Sequence, residues 1–268
     1  MYFILTNTIA ISAIVIFFIG AVFIEKFSYK RLTIFNISAM GMLVALSIVL
    51  TNVIGYNIRI MGSSFMIGNF VIFLSGMLFG PLAGIINAMA ADLTGFIINS
   101  AGEFNAGYMF IKVMYGVMGA MVFLDRKTSW WIIKTIVYMA ICSILHLMVF
   151  NPILILSKSP QITSVGSFFH YYWLYLGGIS ITGSVGIPKP LLFIVQCPIY
   201  ASMVIVSFRV TYFLVARVSN REQTVWCAKH GDLTSILRKV KKLRIGHKKK
   251  TQNFEDVAHQ KSDEIIKS

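Results

Sequence analysis

Along this chain, long apolar stretches alternate with short segments that carry most of the charges. Seven stretches read as membrane-crossing helices: residues 2–24, 33–54, 64–79, 81–98, 106–124, 131–156 and 187–215. About 20 mostly apolar residues are needed to cross about 30 Å of hydrocarbon as a helix. The third stretch falls short of that, unless residues 61–63 join it or the protein is thin there. The pattern predicts an all-α integral membrane protein. It divides the chain into an N-terminal anchor with its basic flank (1–31), a six-helix core (32–216) and a polar tail (217–268).

Composition agrees with this division. The 268 residues are 57% hydrophobic and only 13% charged, with a mean hydropathy of +0.76. Soluble domains carry about 25% charged residues, and disordered chains lack the apolar mass. Cys142, Cys197 and Cys227 are far apart and show no C-x-x-C spacing, so they suggest neither a disulfide framework nor a metal site.

The net charge of +14 sets the expected orientation. No basic residue precedes the first stretch and no small-residue cleavage site follows it, so it reads as a retained anchor helix. Lys26, Lys30 and Arg31 lie just after it, which puts that segment in the cytoplasm by the positive-inside rule. Alternating from there places Arg126, Lys127 and the tail inside, the tail holding 13 of the 24 basic residues, and leaves Arg59, Lys158 and Lys189 outside. Residues 168–183 are aromatic enough to be mistaken for an eighth span, which would reverse this parity. They are read as an outer lid or as an interfacial aromatic belt, since such rings prefer the headgroup level.

Ionisable residues inside spans are costly and mark functional candidates. Beyond the first turn of each span, the Asp, Glu, Lys and Arg residues are three: Asp92, Lys112 and Arg209. Arg209 is close enough to the last span's cytoplasmic end to snorkel. Asp92 and Lys112 each stand ten positions from Gly102, in the loop between their helices, so antiparallel neighbours bring them to one depth. A buried pair is expected, either locking two helices or lining a pocket. Around it the outer side offers Asn57, Arg59, Asn99, Ser100, Glu103, Asn105 and Tyr108, then His170, Tyr172 and Trp173. Planar aromatics with a few convergent polar groups are the usual lining of a small-molecule pocket. His146 reads as a helix-contact residue, no set of residues suggests catalysis, and no bound cofactor or metal is expected.

The stretches 37–50, 70–97 and 107–116 carry recurring small-residue motifs. Leu74–Gly84 reads L-x-G-x-L-F-G-P-x-x-G, and Ala91–Gly95 reads A-D-L-x-G. Gly80-Pro81 makes a sharp turn, with Pro starting the next helix, and Gly76, Gly80, Gly84, Ala88 and Asp92 recur every four residues. Together these resemble the substrate-binding S components of energy-coupling factor (ECF) vitamin transporters, most nearly the folate group. The resemblance implies a six-helix S-component-like bundle, here with one extra N-terminal transmembrane helix. It implies that the chain captures a vitamin, with folate or a related pterin favoured and riboflavin or thiamine as alternatives. It also implies partners: a coupling transmembrane subunit and two ATP-binding subunits, the ATP being used by the latter. In such S components a small-residue stripe on the first core helix docks on the coupling subunit, which carries that role to Gly41 and Ala45. Packing within the monomer is the other reading of that spacing. The extra first span and the long tail depart from the usual unit.

The chain has no G-x-x-x-x-G-K-[ST] loop, so pumping would need such partners. In the tail, Leu233, Ile236, Leu237, Val240 and Leu243 recur at helical spacing among basic residues. This is the pattern of an amphipathic helix for an anionic lipid surface at the cell membrane, and no nucleic-acid module accompanies it. A self-sufficient secondary transporter or channel for a small anion stays open as the rival class.

Overall fold

The computed structural model describes residues 2–25, 34–55, 59–60, 63–64, 67–98, 104–124, 130–162, 164–180, 183–218 and 226–227. Nine α-helices run through them: α1 (Tyr2–Glu25), α2 (Ile34–Ile48), α3 (Asn69–Phe79), α4 (Pro81–Ile98), α5 (Ala106–Met121), α6 (Trp131–Ile144), α7 (Asn151–Ser157), α8 (Val165–Leu176) and α9 (Lys189–Val218). α2 continues as a π-helical segment, Val49–Gly55, and a second one, Leu145–Phe150, joins α6 to α7. Arg59–Ile60 and Ser63–Ser64 form a minimal antiparallel hairpin. The chain is an all-α membrane protein: α1, α4, α9, α2 with its π segment, and the continuous 131–157 helix are each long and apolar enough to span.

The third predicted span differs from its expectation for a physical reason. Its helix, α3, has only 11 residues, about 16 Å at 1.5 Å per residue, and every one of them is buried. Surrounded by α2, α4, α5 and α9, it is the bundle's inner post and meets little lipid. α5 is also short, and the two pack closely because their contact is built of glycine. A side chain at Gly76 would strike the Gly116 carbonyl oxygen, one at Gly119 that of Phe73, and a Cβ on Gly116 would lie 2.6 Å from the Gly84 carbonyl oxygen. Small residues thus bring three helix backbones together, which is how helices associate in a solvent as apolar as their own side chains. Gly80 joins α3 to α4 with φ 103°, a conformation that strains any residue with a Cβ.

The two ends of the bundle are distinct. At the Gly80 end, the Leu82 N–H donates to Glu25 Oε1 at 2.9 Å, and the indole N–H of fully buried Trp226 donates to the Ala120 carbonyl at 3.1 Å. At the other end, the Ala106 N–H donates to Asn7 Oδ1 at 2.8 Å. The first helix is therefore fastened at both ends of the bundle: it caps α4 with Glu25 and α5 with Asn7, and Phe17 stacks on Phe110 between them. A carboxylate at a helix N-terminus satisfies an orphan donor and meets the positive end of the dipole. Glu25→Ala is expected to cost about 1–2 kcal/mol, read as a lower unfolding midpoint in mild detergent. An unchanged midpoint would show that the cap contributes nothing.

Candidate functional site

One part of the buried polar set lies toward the end marked by Asn7. Lys112 Nζ lies 2.8 Å from Asp92 Oδ1, with both side chains nearly buried, so the antiparallel register of α4 and α5 brings the two to one depth as the spacing predicts. One turn up α5 stands Tyr108, and Asn105 caps the helix by accepting the Gly107 N–H at 2.9 Å. From Tyr108 the polar set extends to α8. Burial first, and then the neighbouring Tyr108, push the Tyr175 phenol up to about 12. That phenol stays protonated and accepts from Asn151 Nδ2 at 3.2 Å. Lys189 Nζ sits 4.7 Å from the Tyr175 ring centroid. Asp92, Lys112, Tyr108, Tyr175 and Lys189 thus make a polar set on α4, α5, α8 and α9, in which Asp92 meets Lys112 and Lys189 meets the Tyr175 ring. It offers a carboxylate, two ammonium groups and two phenol rings.

Other predicted residues are placed elsewhere. Tyr172 donates to the Met148 carbonyl at 2.6 Å, so its hydroxyl holds α8 on the second π segment. His170 is exposed, and so is Trp173, at 69%. Neither lines the buried set, because α8 is a 12-residue helix whose opposite side carries Tyr175 inward. At about 18 Å it is too short to cross, which agrees with a lid or belt and not a span. It ends in a turn at Gly178, where φ is 89°. Arg59 lies in the two-residue hairpin, opposite Ser64. Asn57, Asn99, Ser100, Glu103 and the amphipathic stretch of the tail lie outside the described residues. Arg209 is exposed. His146 accepts or donates at Nδ1 to the Tyr115 hydroxyl, 3.3 Å away, a contact between helices. No group of three metal-binding side chains occurs among the described residues.

Asn69 escapes a reading of the sequence. It is the first residue of α3, it is fully buried, and neither its Oδ1 nor its Nδ2 has a hydrogen-bond partner among the described residues. Asn69 and Asp92 each stand eleven residues from the Gly80–Pro81 junction, which puts them at the same depth, about 16 Å from it. An unsatisfied buried amide is costly, so its presence beside a helix N-terminus marks it as a polar contact for something that enters. The only sequence signal was an asparagine opening an otherwise apolar run.

Gly41 and Ala45 are both exposed on α2, and a Cβ on Gly41 would meet nothing within 4 Å. Packing among the described residues therefore leaves room for a side chain at Gly41. No protein-family model matches the sequence, and no curated protein matches it significantly.

Proposed function

We propose that this chain is the substrate-capture subunit of an ECF-type, ATP-dependent vitamin importer in the cell membrane. The observation that carries this reading is the Gly41–Ala45 stripe, which is exposed among the described residues, where a Cβ on Gly41 would meet nothing within 4 Å, and which suits a close-packed partner helix. The motifs around Gly80 and Asp92 and the absence of a phosphate-binding loop support the same conclusion: a coupling membrane subunit and two ATP-binding subunits supply the energy. By the positive-inside rule, the Gly80 end and the basic tail are cytoplasmic and the Asn7 end faces outward. The polar set from Asp92 to Lys189 then lies toward the side from which a nutrient arrives.

The substrate favoured is folate or a related pterin. Tyr108 and Tyr175 suit a flat ring, Asp92 and Asn69 suit its hydrogen-bonding edge, and Lys189 with Arg59 suits an anionic tail. Copurification in mild detergent is expected to recover two ATPases with a coupling subunit. Titrations are expected to give tighter binding of folate than of riboflavin or thiamine, with Arg59→Ala weakening folate more than riboflavin. Gradient-driven uptake by the purified chain alone would overturn the reading. It would favour a self-sufficient transporter, for which the two π-helical interruptions, in α2 and between α6 and α7, are the specific observation.

A further inference from the structure

A cavity stands apart from this polar set. It occupies about 320 Å³ between α1, α7 and α8, and its walls include Tyr2, Thr6, Leu156, Ile162, Val165 and Phe168. The volume lies at the lower end of the range for ligand cavities. Its floor, Leu156 and Ile162, is buried, whereas Val165 is 67% exposed, so the cavity opens on the outer surface of the bundle.

Its walls present little that could read a polar ligand. Each aliphatic hydroxyl on them is already engaged with nearby backbone. Thr6 donates to the Phe3 carbonyl at 3.0 Å, Ser157 donates to the Leu154 carbonyl at 2.9 Å, and Ser164 caps α8 by accepting the Ser167 N–H at 3.2 Å. Among the described residues, no carboxylate, side-chain amide or cation lines it. Lys158 follows Ser157, and its Nζ stands 5.1 Å from the Phe3 ring centroid, beside the Tyr2 end of the cavity.

We infer that this cavity holds one acyl chain of a membrane phospholipid, whose phosphate lies against Lys158. The chemistry matches part by part: an apolar slot open to hydrocarbon takes the chain, and an ammonium at the same end of the bundle takes the phosphate. The position also gives the lipid a structural role, because it would fill the seam between the first helix and the α7–α8 segment. The inference does not rest on vitamin capture and stands or falls separately from it.

The test uses the full chain in phosphatidylcholine nanodiscs doped with phosphatidylglycerol that carries a diazirine near the end of one acyl chain. After irradiation, adducts are mapped by peptide mass spectrometry. They are expected to concentrate on residues 2–6 and 153–169, above the level on lipid-facing positions such as Ile133 and Ile136, which are 50% and 44% exposed. Thr6→Trp, which fills the slot from α1, is expected to abolish the excess. Lys158→Gln is expected to lower it about fivefold for this probe and to leave a diacylglycerol probe unchanged. The wild-type map alone decides the matter if the tryptophan variant does not fold. Adducts spread evenly over the lipid-facing helices would overturn the inference, and so would displacement of the excess by folate.

Discussion

Replacing Gly116 with valine is expected to destabilise the bundle by more than about 3 kcal/mol, the upper range for overpacking, because the obstacle is backbone that has no rotamer to escape into. Gly84 and Gly116 face each other so closely that a Cβ on either would lie 2.8 or 2.6 Å from the other's carbonyl oxygen, and Gly76 approaches the same carbonyl from α3. Any added methyl must push α4 or α3 away from α5 along their whole contact. Size-exclusion and thermal unfolding in mild detergent would read the loss as aggregation or a greatly lowered midpoint. The matched control is Gly41→Leu, at a position where a Cβ would meet nothing within 4 Å. It is expected to leave the midpoint nearly unchanged while removing any partner subunits from the copurified complex. Equal damage from both substitutions would mean that Gly41 is a packing residue after all, and the docking role assigned to its stripe would fail.

These two glycines also mark what a sequence can disclose. Both sit in small-xxx-small patterns, and the spacing alone does not say whether the partner helix belongs to the same chain. The spans themselves were legible because hydrocarbon thickness sets their length, and the Gly80-Pro81 turn was legible because few residues tolerate that geometry. The Asp92–Lys112 pair could be anticipated because a loop midpoint and a fixed rise define depth. What could not be read were contacts between distant parts of the chain made by single polar atoms. Asn7 and Glu25 look like the ordinary edges of a span, yet they cap two other helices. Trp226 lies in a tail whose composition speaks only of charge, yet it is buried against the end of α5. The π segments leave no compositional trace, since they arise from a one-residue shift in hydrogen bonding within sequences that are apolar either way.

Asp92→Asn or Lys112→Met alone is expected to cost about 3–5 kcal/mol, because either change leaves a single charge within a membrane helix pair that no longer has its counterion. The double variant, Asp92→Asn with Lys112→Met, is expected to regain most of that loss, since it removes both charges and keeps similar volume. Thermal unfolding of the four proteins in detergent forms a closed cycle, and the coupling energy follows without assigning a worth to either group alone. The 2.8 Å separation predicts that this coupling is large. Additive effects would show that the groups do not interact in solution. Ligand binding to the same four proteins then separates the two roles of the pair. A helix lock alone would let the double variant bind like the parent once it is folded. A pocket wall would leave it stable and unable to bind, because the lost donor and acceptor are those that would meet the substrate's polar edge. The second outcome is the expected one, since Asn69, a buried amide without a partner among the described residues, stands at the same depth as Asp92. A pair that merely joined α4 to α5 gives no reason for a buried amide without a partner among the described residues to stand at its level.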